Sequence, residues 1–293
     1  MADWIDLHVH TLASDGSDAP AEVVRKAAAL GLRAVAITDH DTFAGLPEAL
    51  AAGARHGVEV VPGVELSTIY DGVEVHVLGY YMDTAHPQLR AMMARATAER
   101  NARNETMVQR LHAAGYPITM EALHAEFPGQ TMLGRPHISE YLMRRGYVAS
   151  VQDGMRNLLG RGKPFYVARY NIPLEESVRT LRTAGGLPVV AHLFKYRYTP
   201  EQRTAMVDAA AAAGAAGLEA MYTNYTPEQE QAVRAMAAER GLLCTGGTDY
   251  HGDRKPDIAL GAGFGNLRVP YALLAALKQC GNFPAGGEFS GNS

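Results

Sequence analysis

The sequence predicts an α/β protein whose parallel sheet is either open or closed into a barrel, with a helical segment inserted into it. Short β-rich stretches alternate with helical stretches near both ends of the chain, which is typical of a parallel sheet. Between residues 90 and 163 this alternation stops and helices dominate. In addition, clusters of His, Asp and Glu follow the predicted strands, and barrel enzymes place their sites at such strand ends.

The predicted elements follow from apolar periodicity and from turn residues. Residues 4–10 alternate apolar and polar side chains, residues 19–30 are rich in Ala, and the helix over 46–56 ends at Gly57. The other predicted strands are 34–38, 58–61, 64–69, 73–80, 187–192, 217–221 and 242–245. The other predicted helices are 174–184, 200–213 and 227–240, and within the insertion 88–114, 120–125, 138–145 and 150–159.

The inserted segment, residues 90–163, is basic although the chain is slightly acidic. It holds eleven of the 27 Lys and Arg residues and six of the 31 Asp and Glu residues, a net charge of +5 against −9 for the rest. Such a charge can simply belong to a solvated helical face. It can also belong to a lid that offers cations to an anionic substrate. The segment begins shortly after His76, a candidate metal ligand, and this position favours the lid.

Composition sets limits on the class of protein. At 293 residues the chain has room for two domains, although single barrels of about 250 residues are common. A net charge of −4 argues against binding nucleic acid over the whole surface. Two cysteines, Cys244 and Cys280, cannot form a disulfide framework, and no secretory signal or membrane-spanning stretch is evident. We therefore expect a cytoplasmic protein without an obligate protein partner.

Two histidines at the end of the first predicted strand suggest a metal site. His8 and His10 are two residues apart, so both project from one face of the strand, which Asp6 shares. Two imidazoles at this spacing suit one metal ion. On its own, however, this pattern is more often structural than metal-binding.

Further polar side chains at predicted strand ends make metal binding the favoured interpretation. They are Asp15, His40, Glu65, His76, His192, Asp249 and His251. A single His beside a strand is usually structural, but clusters at this many strand ends predict one shared site. Mixed carboxylates and imidazoles suit Mn²⁺, Fe²⁺ or Zn²⁺ and argue against a structural zinc bound by thiolates.

Four short motifs resemble those of the PHP (polymerase and histidinol phosphatase) family. They are Asp-Leu-His-Val-His-Thr at 6–11, Thr-Asp-His-Asp at 38–41, Gly-Val-Glu at 63–65 and Gly-Thr-Asp-Tyr-His at 247–251. The resemblance covers roughly residues 5–76 and 187–260. It implies a distorted (β/α)7 barrel that holds three divalent metal ions. The barrel would comprise residues 1–89 and 164–285, the helical insertion 90–163 and a tail 286–293.

The resemblance also implies a ligand set, with catalysis through metal-activated water. The first metal would be held by His8, His10, Glu65 and Asp249. Glu65 would bridge to a second metal, which His76 and His192 would complete. The third would be held by Asp15, His40 and His251, although many family members have His at the position of Asp15.

Within the family, Ser-Asp-Gly at 14–16 and Gly-Arg-Pro-His at 134–137 resemble one bacterial branch. That branch includes 3′,5′-nucleoside bisphosphate phosphatases and 5′→3′ exonucleases on short RNA (the RNase AM branch). We therefore expect a hydrolase that removes the 3′-phosphate of nucleoside 3′,5′-bisphosphates and also trims short 5′-phosphorylated RNA. The candidate substrate-binding residues are Arg135, His137, Lys195, Arg197 and Tyr222.

Other functions stay open from the sequence. One is a histidinol-phosphatase-like enzyme for a small metabolite. Another is exonuclease proofreading, as in PHP domains attached to polymerases, although this chain has no polymerase portion. A third, from a different class, is a regulatory domain that keeps metal structurally, although the full ligand set argues against it. Two of the candidate substrate-binding residues could instead have purely structural roles. His137 could pack the insertion against the barrel, and Tyr222 could pack after its strand.

Overall fold

A computed structural model of the chain describes residues 3–130, 132–168 and 172–283. Its strands are β1 Trp4–Val9, β2 Ala34–Ile37, β3 Glu59–Tyr70, β4 Val73–Tyr80, β5 Ile172–Pro173, β6 Leu187–Val190, β7 Gly217–Tyr222, β8 Leu243–Gly247 and β9 Val269–Pro270. Its α-helices are α1 Pro20–Ala29, α2 Leu46–His56, α3 Pro87–Ala113, α4 Met120–Glu126, α5 Arg135–Arg144, α6 Val151–Gly154, α7 Leu174–Thr183, α8 Pro200–Ala213, α9 Pro227–Glu239 and α10 Tyr271–Gly281.

The strands form one sheet in the order β8-β7-β6-β4-β3-β2-β1-β9, and β5 pairs with β3. Most pairs are parallel, but β4 runs antiparallel to both β3 and β6, and β9 runs antiparallel to β1. Strand β3 is continuous, whereas two separate strands were predicted over its length. Its first half pairs with β2 and its second half with β4, so one long strand takes part in both pairings.

The sheet curls until β8 lies beside β1, and this nearly closes the predicted barrel. Gly247 permits the approach, because a Cβ on it would lie 2.4 Å from the Cβ of His8. Backbone hydrogen bonds continue the contact beyond the strands: the Asp249 amide donates to the His8 carbonyl at 2.9 Å, and the His10 amide donates to the Tyr250 carbonyl at 2.9 Å. The pair His8 and His10 and the pair Asp249 and His251, each two residues apart, therefore meet where β1 and β8 lie side by side.

The segment between β4 and β5 folds as helices with an apolar cluster of its own. Met107, Leu111, Leu123, Ile138 and Leu142 are buried in this cluster, which is separate from the clusters on the two faces of the sheet. The predicted last helix of the segment is mixed: α6 passes into a π-helix over Met155–Leu159. The domain boundaries at residues 90 and 163 stay a prediction, and the predicted tail, 286–293, lies outside the described residues.

Among the described helices, none combines the length and apolarity that crossing a bilayer requires. The thiols of Cys244 and Cys280 are both free.

Candidate metal centre

All nine predicted ligands lie together at one end of the barrel. Most of them come from strand ends or from the residues that follow a strand, where neighbouring strands deliver side chains to a common edge. Six are imidazoles and three are carboxylates: His8, His10, His40, His76, His192, His251, Asp15, Glu65 and Asp249. Their donor atoms form four overlapping groups, and within each group the atoms lie within 4.8 Å of one another.

Glu65 lies at the centre of this cluster and is buried. Its Oε1 is 2.8 Å from His76 Nδ1 and 3.0 Å from His192 Nε2. Its Oε2 is 3.3 Å from His8 Nε2, 3.1 Å from His10 Nε2 and 3.3 Å from His40 Nδ1. Burial raises the pKa of Glu65, but the surrounding imidazoles outweigh burial and hold this pKa well below its ordinary value. The carboxylate is therefore ionised and faces ligands on both oxygens.

Asp15 occupies a second position in the cluster, beside His10 and His251. Its Oδ1 lies 3.5 Å from His10 Nδ1 and 3.4 Å from His251 Nε2. The Nδ1 atom of His251 donates a hydrogen bond to the carbonyl oxygen of Asp249 at 2.8 Å, which leaves the lone pair of Nε2, on the side of Asp15, available to a metal ion. His10 belongs to two of the four groups, since its two ring nitrogens face different carboxylates.

The buried ring nitrogens of the cluster fit a set of metal ions. His8 Nε2, His10 Nδ1, His10 Nε2 and His40 Nδ1 are buried and form no hydrogen bond with the described residues. Buried polar atoms without partners are rare in proteins, and binding of a metal ion is one established reason for them. Imidazole nitrogens and carboxylate oxygens in one buried cluster are also the donor set that Mn²⁺, Fe²⁺ and Zn²⁺ accept. The residues present therefore fit a multinuclear metal site.

Glu219, on β7, supports the cluster and was missed in the sequence analysis. It is fully buried, with Oε1 2.8 Å from His8 Nδ1, while Oε2 accepts a hydrogen bond from the His192 amide at 2.8 Å. Burial raises the pKa of Glu219, and the His8 imidazole opposes this rise. A carboxylate behind a metal-ligating His fixes its ring and tautomer, so Glu219 leaves His8 Nε2 directed at the cluster. The only signal in the sequence was a Glu within an otherwise apolar strand.

Asp6 and Asp39 are also buried, and they hold the loops that carry ligands. Asp6 accepts hydrogen bonds from the backbone and hydroxyl of Thr248, at 2.9 and 2.6 Å, next to Asp249. Asp39 accepts from the Thr11 amide at 2.7 Å and from the Ser14 hydroxyl at 2.6 Å, next to Asp15. Although Asp6 shares a strand face with His8 and His10, its oxygens are used by these loops.

Three of the six non-glycine residues that have a positive φ in the described part of the chain lie at the site. Asp41, His192 and Asp249 have φ angles of 51°, 31° and 59°, in the left-handed region that residues other than glycine rarely adopt. Each such residue costs on the order of 1–3 kcal/mol and persists only where the surrounding structure enforces it. Two of the three are predicted ligands, and Asp41 directly follows a third, His40.

A cavity of about 580 Å³ opens above the cluster. One end is lined by predicted ligands, and the other by side chains of the insertion and of the loop after β8. The cationic lining residues are Arg100, Arg103, Arg135, Arg156, Lys195, Arg254 and Lys255. Four of these seven belong to the insertion, so the segment interpreted as a lid does supply positive charge at the cavity.

Two of the cations lie beside a predicted ligand. Lys255 Nζ is 2.9 Å and Lys195 Nζ is 3.4 Å from Asp249 Oδ2. Burial raises the pKa of Asp249, but Lys255, Lys195 and His251 outweigh it and hold this pKa well below its ordinary value. Lys195 was predicted from the sequence, whereas Lys255 was not.

Arg100 and Arg254 attach the insertion to the barrel. Arg100, on α3, forms an ion pair with Asp41, the residue that follows His40. Arg254 donates to Glu140 Oε2 of α5 at 2.9 Å and to the carbonyl of Gly16 at 2.8 Å. Arg100 thus links α3 to the residue after His40, and Arg254 links α5 to Gly16, the residue after Asp15. Neither arginine was predicted to take part in the site.

Three of the predicted substrate-binding residues are not among the described residues that line the cavity. His137 is fully buried and accepts a hydrogen bond from the Gly134 amide on Nδ1 at 3.0 Å, so it packs the insertion. Tyr222 is also buried, and its hydroxyl donates to Asp249 Oδ2 at 2.8 Å, so no ring face is offered for stacking. Arg197 is exposed and is not among the described residues that line the cavity.

The sequence profile of the PHP domain matches residues 6–164, which is more than half of the chain. The chain belongs to the PHP domain family. The predicted fold of that family, a barrel-like α/β sheet, is confirmed by the solved structure of a suggested metal-dependent phosphoesterase from Bifidobacterium adolescentis. It superposes with a TM-score of 0.86 and 31% identity, covering 100% of this chain and 99% of that one.

Two curated relatives of this PHP protein have assigned activities. A 5′-3′ exoribonuclease of Haemophilus influenzae is 32% identical over 251 residues, which cover 86% of this chain and 91% of that protein. A 3′,5′-nucleoside bisphosphate phosphatase of Chromobacterium violaceum is 33% identical over 247 residues, which cover 84% and 87%. This chain is thus a PHP-family metal-dependent phosphoesterase related to enzymes that act on nucleotides or RNA.

Proposed function

We propose that the protein removes the 3′-phosphate of nucleoside 3′,5′-bisphosphates, with short 5′-phosphorylated RNA as a second substrate. The observation that carries this proposal is the cavity itself, in which a cluster of metal ligands meets seven Lys and Arg side chains. One phosphate can reach the ligand cluster while a second meets guanidinium groups, which bind phosphate through paired hydrogen bonds. A substrate with two phosphate groups uses both ends of the cavity.

The proposal includes three divalent ions, for which Mn²⁺ is the favoured choice and Fe²⁺ or Zn²⁺ are alternatives. The first would be held by His8, His10, Glu65 and Asp249, the second by Glu65, His76 and His192, and the third by Asp15, His40 and His251. One of the four groups described above contains the whole third set. For the first two sets the support is the position of Glu65, whose oxygens lie within 3.3 Å of ring nitrogens of His8, His10, His76 and His192.

When bound, such ions lower the pKa of water and neutralise charge on the phosphoryl oxygens. The residues of the chain would bind the ions and the substrate, orient the ligand side chains and supply a proton to the leaving oxygen. The ionised Glu65 and Asp249 hold the ligand imidazoles, and Glu219 keeps His8 in the required orientation. The side chains of Lys195 and Lys255 line the cavity, where the leaving oxygen needs a proton.

Arg135 is the proposed clamp for the second phosphate. It begins α5, lines the cavity, and its Nη2 lies 3.6 Å from Glu74 Oε1, beside His76. Replacing Arg135 by Ala is expected to lower kcat/KM for a nucleoside 3′,5′-bisphosphate roughly 10- to 100-fold, since hydrogen bonds to charged groups are lost. Metal content, measured by plasma mass spectrometry, should not change.

Arg145 provides the matched control for this variant. It ends the same helix, outside the cavity, and pairs with Glu126 at 2.9 Å. Arg145→Ala should keep wild-type kcat/KM. An equal loss in both variants would mean that Arg135 acts through the stability of α5 and not through the phosphate.

A hydrolysis panel tests the proposed substrate directly. On the Mn²⁺-loaded protein it measures inorganic phosphate released from adenosine 3′,5′-bisphosphate and from histidinol phosphate, and mononucleotide released from a 5′-phosphorylated dinucleotide. We expect the bisphosphate to have the highest kcat/KM and the dinucleotide to be cleaved more slowly. A preference for histidinol phosphate would favour the metabolite phosphatase instead. No release from any of the three would favour a regulatory role.

A further inference from the structure

One wall of the cavity is apolar, and it comes entirely from the insertion. Among the described lining residues, only Pro136, Val151 and Met155 are apolar, while the others are charged or polar. Val151 and Met155 are four residues apart along α6 and the π-helix that follows it, so they share one face. Neither a metal ion nor a phosphate group gains from contact with such a wall.

The apolar wall is held in place by close packing of α6 on α5. The Ser139 hydroxyl donates to the carbonyl of Val151 at 2.7 Å. A Cβ at Gly154 would lie 2.1 Å from that hydroxyl oxygen, so glycine is required for the approach. Leu159 is fully buried at the end of the π-helix, and π-helical turns occur frequently at functional sites. The wall is therefore part of a fixed surface and not of a loose loop.

We infer that Pro136, Val151 and Met155 form a nucleobase subsite that contacts the face of the base. The inference rests on the proposed function, because it takes the substrate to be a nucleotide. The phosphates are drawn to cations and the ribose is polar, which leaves the faces of the base as the apolar surface of such a molecule. A methionine sulfur packs favourably on aromatic rings. A cavity of 580 Å³ also falls within the range of about 300–1,000 Å³ typical of small-molecule sites.

This subsite takes the place of Tyr222, which was predicted from the sequence to bind substrate. No Phe, Tyr or Trp is among the described residues that line the cavity. Aliphatic and thioether contacts to a ring face do not read the hydrogen-bonding edge of the base. We therefore expect the subsite to accept all four bases, with purines bound more tightly because they cover more of the wall.

The test compares binding of adenosine 5′-phosphate with binding of ribose 5-phosphate, which lacks the base. Titration calorimetry on the metal-loaded protein gives the ratio of the two dissociation constants. In Met155→Ala we expect adenosine 5′-phosphate to bind about tenfold more weakly, from the apolar area lost. Ribose 5-phosphate should change by less than about twofold, because it does not reach Met155.

Two further variants serve as controls. Met143, on α5, lines a neighbouring cavity and not this one, so Met143→Ala should keep the wild-type ratio. Met155→Leu restores apolar volume and should recover most of the affinity for adenosine 5′-phosphate. If Met155→Ala weakens both ligands equally, or if the wild-type protein does not prefer the ligand with a base, the inference is overturned.

The experiments distinguish a failure of the base subsite from a failure of the proposed function. Phosphate release from adenosine 3′,5′-bisphosphate is measured on the same proteins. Binding that depends on Met155 without any hydrolysis would overturn the proposed function and support the subsite. Hydrolysis of adenosine 3′,5′-bisphosphate, together with a ratio of dissociation constants that does not change in Met155→Ala, would support the proposed function and overturn the subsite.

Discussion

Replacing Glu65 by Gln is expected to remove most of the bound metal and nearly all phosphatase activity. The substitution keeps the size of the side chain and removes its charge. Both oxygens of Glu65 lie within 3.3 Å of imidazole nitrogens from five different positions, so it is shared by several of the donor groups. We expect kcat/KM to fall on the order of a thousandfold, because Glu65 is the one residue assigned to two of the three proposed ligand sets.

Glu59, at the start of the same strand, is the control for this variant. It accepts hydrogen bonds from the hydroxyls of Tyr271 at 2.9 Å and Tyr81 at 3.2 Å, far along β3 from the cluster. Glu59→Gln should lower the free energy of unfolding and leave metal content unchanged. Metal analysis, chemical denaturation and phosphate release on both variants distinguish the two effects. Full metal content in Glu65→Gln would contradict the assignment of Glu65 as a ligand.

The metal cluster could be predicted because its position depends on topology alone. Once strands alternate with helices, the residues that follow successive strands must meet at one edge, whatever the details of packing. His40, His192 and Asp249 were found in this way, although they are far apart in the chain. The assignment of these ligands to three separate metal ions came from the family resemblance, because the apolar periodicity of the sequence carries no information about it.

The supporting residues could not be predicted because their roles depend on packing. Glu219 lies inside a strand, and its contact with His8 exists only because the sheet nearly closes, which leaves β8 alone between β7 and β1. Arg254 gains its role only when α5 packs against the loop that contains Gly16. In the same way, Tyr222 follows a strand as a base-stacking residue would, but its hydroxyl is drawn inward to Asp249.

In the insertion, too, some features could be predicted from the sequence and others depend on packing. Its helical content followed from apolar periodicity, and its positive charge from counting residues. The change from α6 into a π-helix did not, since it depends on how Gly154 fits against Ser139. That local feature decides which side chains reach the cavity, so specificity is harder to predict from the sequence than the metal cluster is.

Removing the metal is expected to abolish activity reversibly and to destabilise the barrel. After treatment with a chelator, phosphate release should fall to background and return when Mn²⁺ is added. The unfolding temperature should fall and recover in parallel, because ions that bind only the folded state stabilise it by about 2.7 kcal/mol per site at a hundredfold excess over Kd. Calorimetry and phosphate release on the same samples measure both effects.

The choice of ion makes this experiment specific to the cluster. Six of the nine predicted ligands are imidazoles, whereas Mg²⁺ and Ca²⁺ prefer oxygen ligands. Mg²⁺ should therefore restore little of the activity or the unfolding temperature, while Zn²⁺ or Fe²⁺ should restore the unfolding temperature. Full activity with Mg²⁺ alone, or a chelated protein as active and as stable as the original, would mean that the six imidazoles do not bind the catalytic ions.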